Sequence, residues 1–236
     1  RLMEEEVNVR KSLLDVLQER AAKVDKYEKA HRVLIAAVLN PNVADVGAVT
    51  RKLLSEHEVE GEEDTMFTGL LMQLPGCVIH ILEGHQDSVV DFLRALQAMP
   101  PEESGVQDLK ILASMQDIPS RAFPMWGSRI LTPAKAIGDP IVPDLEQIPT
   151  LVSEMSLQIQ RMGHKLQDLA TDERRLALDA LKNKFAEFVP RVEDILGLVE
   201  CADLPSLAEY LQIYYSPVSL ALDSELVWPL PPALTY

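Results

Sequence analysis

Two apolar runs, Met66 to Gln73 and Cys77 to Glu83, are separated only by a tight turn, Leu74-Pro75-Gly76. Proline presets one turn dihedral and glycine accepts the positive φ of a type II turn, so the pair reads as a β-hairpin. Side chains alternate along a strand, yet Leu70, Met72, Val78, Ile79, Ile81 and Leu82 place apolar groups on both faces. Such a hairpin must lie inside a sheet that is covered on both sides. That requirement restricts the rest of the chain more than any other feature.

The flanking segments supply one cover. Val33 to Leu39 is β-branched and reads as a strand. The turn Asn40-Pro41-Asn42 then opens a helix holding Val43, Val46, Val49 and Leu53. After the acidic loop Glu60 to Asp64 and the hairpin comes Asp87 to Met99, whose Val89, Val90, Leu93 and Leu96 form a helical stripe stopped by Pro100-Pro101. A last strand is expected near Asp108 to Ser114. The order strand, helix, hairpin, helix, strand is a β-α-β-β-α-β arrangement of the α+β class, with both helices on one sheet face.

Outside this unit the chain is helical. Val7, Leu14, Leu17, Ala21, Val24 and Tyr27 form a stripe without Gly or Pro, which predicts an N-terminal amphipathic helix over 1–31. Pro133, Pro140, Pro143, Pro149 and Gly138 mark 132–149 as an extended linker. Over 150–215 apolar residues recur at helical spacing, first from Leu151 to Leu169 and then from Leu178 to Val199. These predict an antiparallel helical hairpin connected at Thr171-Asp172, with Pro190 breaking or kinking its second arm. A shorter helix from Leu204 to Tyr214 follows, and 216–236 reads as an extended Pro-rich tail.

The longest uninterrupted apolar run, Val33 to Leu39, is seven residues, against roughly 20 for a membrane-spanning helix. No membrane partner is expected. The formal net charge of −15 argues against nucleic acid, whose phosphates are bound by clustered Lys and Arg. Cys77 and Cys201 are the only cysteines, without a CxxC or a glycosylation acceptor, which favours a reducing, cytoplasmic setting.

The phosphate-binding glycine motifs, the G-x-S-x-G elbow and the H-E-x-x-H zinc helix are all absent from the sequence. His80, Glu83 and His85 form its densest polar constellation. His80 and Glu83 should point to opposite strand faces, and no further His or Cys has a zinc spacing, so no metal is expected. The reading for His80 is a hydrogen-bonded, half-buried side chain. Glu83-Gly84 reads as a strand end and turn.

Phe67-Thr68-Gly69-Leu70-Leu71, the run from Gly76 to Leu82-Glu83-Gly84, and Ile118 with Arg121, Phe123 and Trp126 together resemble BLUF domains, the flavin-binding blue-light sensors. The resemblance covers Arg32 to Leu131 and implies a ferredoxin-like sandwich over 32–131. It also implies a first-strand tyrosine, a glutamine four residues after the hairpin glycine, and an asparagine shortly before the Thr-Gly pair. Here Val33 to Leu39 holds no aromatic residue, His80 stands at the glutamine position, and Glu56 to Met66 contains no asparagine. Trp126 remains, while Ser128 replaces the methionine usual two places later. His80 and Trp126 are thus vestigial pocket positions, and neither flavin nor another cofactor is expected.

Ile118-Pro119-Ser120-Arg121, Ser216-Pro217 and Leu222-Asp223-Ser224-Glu225-Leu226-Val227-Trp228-Pro229 resemble the testis-expressed protein 47 family. The resemblance implies a non-catalytic structural or adaptor protein of the cilium or flagellum axoneme, within the cytoskeleton of motile cilia and sperm. Its expected partners are axonemal proteins in microtubule-associated assemblies. At −15 the chain would be repelled by acidic tubulin, so docking on another axonemal protein is expected. Trp228, flanked by Val227 and Pro229, suits an anchor in a partner's groove or a tail pinned on its own domain. The competing functional reading is a small-molecule or flavin sensor that uses the BLUF-type pocket.

Overall fold

The computed structural model describes residues 12, 30–58, 66–132, 138–181 and 185–216. The expected N-terminal helix, the acidic loop Glu60 to Asp64, and the tail with Val227, Trp228 and Pro229 lie outside the described residues, apart from Ser12, Ala30, His31 and Ser216.

The hairpin forms as its sequence requires. Strand β2 (Thr68–Leu74) pairs antiparallel with β3 (Cys77–His85), closing at Leu74↔Cys77 around Pro75-Gly76, with Gly76 at φ 79°. Strand β1 (Ala30–Leu39) lies antiparallel against β3 and against β4 (Val106–Ile118). The strand order β4-β1-β3-β2 is the ferredoxin-like one.

A fifth strand, β5 (Trp126–Ile130), extends the sheet by pairing parallel with β2, and the sequence reading missed it. Its residues, Trp-Gly-Ser-Arg-Ile, have no apolar alternation, because one short parallel ladder at a sheet border demands none. Strand β4 also runs beyond the expected Asp108 to Ser114. Asp108 and Asp117 sit at φ 51° and 52°, and the register with β1 shifts at three places. These irregularities interrupt the two-residue period that defines a strand in sequence.

Each sheet face has its own core. Helix α1 (Val46–Ser55) starts after Asp45, whose carboxylate accepts from the Ala48 N–H at 3.0 Å, three residues beyond the Asn40-Pro41-Asn42 turn. It joins α2 (Gln86–Ala98) and the late helix α7 (Leu207–Tyr215) over Val33, Ile35, Leu71, Val78 and Leu82. A one-turn helix, α3 (Pro101–Ser104), leads into β4. The opposite face, with Leu34, Ala36, Leu70, Met72, Ile79 and Ile81, is covered by α4 (Ile148–Gln167), α5 (Thr171–Asp179) and α6 (Val192–Glu200). The helical region therefore shares a core with the sheet.

The stripe from Leu178 to Val199 does not form one helix. After α5 come a 3₁₀ turn at Ala186–Phe188 and Val189 in extended conformation, and α6 starts after Pro190. Proline drives its preceding residue out of the helical region. Leu178, Leu181, Phe185, Phe188, Val192, Ile195 and Val199 are nevertheless all buried in one cluster, so the stripe records burial across a broken element. The connection between α4 and α5 falls at 168–170. Arg174 closes it by donating to the carbonyls of Leu166 and Leu169, each at 2.9 Å.

Helix α7 is fixed by a capping box, with the Ser206 hydroxyl accepting from the Glu209 N–H at 3.3 Å and the Glu209 carboxylate accepting from the Ser206 N–H at 2.8 Å. Ser206→Ala is expected to lower stability by about 1 kcal/mol, with faster amide exchange confined to the first turn of α7. Urea denaturation with hydrogen exchange reads both. An unchanged exchange pattern would show that the box does not hold the helix start.

Candidate functional site

His80 lies on inner strand β3 and points to the face under α1 and α2. Leu71 of β2 pairs with His80 on one side and with Ser128 of β5 on the other. This lateral order lets Trp126, at the start of β5, donate from its indole Nε1 to His80 Nε2 at 3.0 Å. The rings meet edge to face at 6.0 Å, and Phe92 of α2 meets the imidazole in the same way at 6.1 Å. Phe67 packs on Phe92 at 6.2 Å. Arg51 of α1 lies over the indole, 4.7 Å from its centroid, and donates to the Trp126 carbonyl at 3.2 Å.

The structure thus brings His80 and Trp126 together in one hydrogen-bonded, edge-to-face pair. His80 is only 4% exposed, and so is buried rather than half-buried as the sequence suggested. Burial lowers its pKa to about 3, leaving a neutral imidazole whose Nε2 accepts the indole hydrogen bond.

A flavin set against His80 and Trp126, the positions that the BLUF resemblance marks, would have to lie on the sheet face under α1 and α2. A cavity of that size would leave its walls accessible, yet Val33, Ile35, Val89 and Phe92 on this face are each at most 3% exposed. The space is filled by protein. Val33, Ile35, Ala37 and the partly buried Leu39 are the hydrophobic β1 residues in this core, so no tyrosine faces it from that strand. The residues present do not fit the flavin that the BLUF resemblance implies. Gly47 stands against Ser128 so closely that an added Cβ would lie 2.4 Å from its hydroxyl, which closes the α1 side.

Glu83 is the principal correction to the sequence reading. It does not end its strand: β3 continues to His85, Gly84 pairs with His31, and Phe67 packs where a Cβ on Gly84 would lie. Glu83 faces away from His80 and is 0% exposed. Arg32, its register partner on β1, donates from Nε at 2.6 Å. Thr68 donates its hydroxyl at 2.9 Å, and the backbone N–H groups of Ala122 and Phe123 donate at 2.9 and 3.1 Å. Arg32 also reaches Gln160 of α4 at 2.8 Å and the Ser120 carbonyl at 3.2 Å. One buried ion pair therefore ties the Ile118-Pro119-Ser120-Arg121 loop and α4 to the middle of the sheet. In sequence, the signal was a charged residue at the edge of each of two apolar runs, Arg32 just before Val33 and Glu83 just after Leu82.

The third polar group joins β1, β4 and α7. His31 Nε2 is 2.8 Å from the Ser114 hydroxyl, which is 2.7 Å from the Tyr210 hydroxyl. Burial lowers the His31 pKa to about 4 and raises that of Tyr210. His31 Nδ1 is buried without a hydrogen-bond partner, so no carboxylate orients this imidazole as a nucleophile's base would need. The chain of bonds fastens α7 to the sheet.

The remaining candidates do not assemble. His85 is exposed at the strand end, apart from Glu83 and His80. Among the described residues no three His, Cys, Asp or Glu side chains are placed to hold a metal, and no helix is long and apolar enough to cross a membrane.

Comparison with known proteins gives a family match and a set of distant structures. The family model for testis-expressed protein 47 matches residues 30–216. The structure of a bacterial light-regulated adenylyl cyclase aligns at 16% identity and TM-score 0.35, covering 64% of this chain and 39% of the cyclase, so this chain spans about two fifths of that protein. The BLUF domain of BlrP1 aligns at 16% identity and TM-score 0.35, over 66% of this chain and 90% of that domain. BlrB, a BLUF protein in its dark state, aligns at 16% identity and TM-score 0.33, over 64% of this chain and 92% of its own. With overlaps this low, the architecture rests on the strand order itself.

Proposed function

Because this chain belongs to the testis-expressed protein 47 family, we propose that it is a non-catalytic structural or adaptor protein of the axoneme in sperm flagella and motile cilia. It docks there on other axonemal proteins. The observation that carries the reading is the filled pocket: His80 packs against both Trp126 and Phe92 at the positions where the BLUF resemblance implies a chromophore. A domain that fills its ligand site keeps its surfaces for use, and an adaptor works through surfaces. The net charge of −15 favours a protein partner over direct attachment to acidic tubulin.

Fractionation of sperm flagella tests this. The endogenous protein should stay with the axonemal pellet after detergent removes membrane and matrix, and complete release by detergent would sink the proposal. The purified full-length chain should also be colourless. A bound yellow chromophore, lost in Trp126→Ala, would favour the sensor reading instead.

A further inference from the structure

Residues 138–144 lie as an extended strap across α6, and Leu145 opens the turn that leads from it into α4. Gly138 and Ile141 donate their N–H groups to the Glu193 carboxylate and carbonyl at 2.8 and 3.1 Å. The Ile141 carbonyl approaches Gly197 so closely that a Cβ there would lie 1.8 Å away. A glycine inside a helix costs about 1 kcal/mol relative to alanine, and at Gly197 it admits the strap. Pro140 and Pro143 each fix one backbone dihedral, so the segment is held in one conformation.

This rigid strap and the turn after it carry apolar side chains that no core uses. Ile141, Val142 and Leu145 are 52%, 53% and 65% exposed within five consecutive positions. Asp139, Asp144 and Glu146 are exposed between and beside them, and Glu193 anchors the strap from below. Arg191, a cation close to the strap among the described residues, is held by the Asp194 carboxylate through bonds of 2.8 and 2.9 Å. An apolar ridge with an acidic rim calls for an apolar groove with a basic rim. Because the ridge is already ordered, binding it sacrifices little conformational entropy.

We propose that the strap is the docking ridge of this chain, seated in an apolar groove edged by Lys and Arg on an axonemal partner protein. The inference rests on the adaptor reading above. Its test uses the full chain with photoreactive benzoylphenylalanine in place of Leu145, added to demembranated flagella stripped of the endogenous protein and then illuminated.

The cross-link should fall on another protein, on a peptide where apolar residues alternate with Lys or Arg. The double variant Asp139→Lys/Asp144→Lys, with an unchanged melting curve, should lower its yield about tenfold. If the chain pellets with the axonemes but cross-links to its own residues 1–29 or 217–236, to a second copy, to nothing, or without regard to the charge reversal, the ridge is overturned and the adaptor reading stands. If the chain does not pellet, both fall.

Discussion

Glu83→Ala is expected to destabilise the protein by about 3 to 5 kcal/mol, since removing one member of a buried ion pair strands the other charge. Arg32 would keep Gln160 and the Ser120 carbonyl, but no anion would face its guanidinium, whose side chain is only 7% exposed. The Thr68 hydroxyl and the Ala122 and Phe123 N–H groups would lose their acceptor as well. Urea denaturation of Glu83→Ala should therefore show a lower midpoint, and limited proteolysis should cut the loop at 119–125 first. Replacing both charges, as in Arg32→Met/Glu83→Leu, removes the stranded charge and should recover part of the loss. A loss below about 1 kcal/mol in Glu83→Ala, or a double variant worse than the single one, would show that the pair does not hold the loop.

The importance of this pair was illegible in sequence for a definite reason. Local periodicity shows which residues face a core, and it placed the hairpin, β1, α1 and α2 to within a few residues. It cannot show which charged residue on one strand meets which on another. Arg32 and Glu83 are 51 positions apart and become neighbours only through the β1-β3 register. Read alone, an acidic residue closing an apolar run looks like the end of a strand.

The His80 site divides in the same way. The BLUF resemblance marked His80 and Trp126 as pocket positions, but their hydrogen bond depends on β5, whose short polar sequence carries no strand signal. At the helical end the periodic stripe from Leu178 to Val199 named the buried residues correctly while hiding the break at Pro190, because separate pieces on one core repeat much as a single helix does.

Acidification should destabilise the fold through its two buried histidines. His80 and His31 have folded pKa values of about 3 and about 4, against 6.5 for an ordinary histidine. Between those limits the unfolded chain binds protons that the folded chain refuses, so stability is full above pH 6.5 and falls as the pH drops toward the folded values. At pH 5 each histidine should account for roughly 2 kcal/mol of lost stability. The two sites lie on different strands with separate partners, Trp126 for His80 and Ser114 for His31, so their contributions should add to roughly 4 kcal/mol. His80→Gln keeps a hydrogen-bond acceptor for the indole but has no proton to take up. Denaturation midpoints measured from pH 8 to pH 4.5 should therefore decline about half as far through this window in His80→Gln as in the parent, and His80→Gln/His31→Gln should remove nearly all of the histidine contribution. A slope that both substitutions leave untouched would mean that the imidazoles are protonated and solvated in the fold, and the packed His80-Trp126-Phe92 cluster could not then be what fills the pocket.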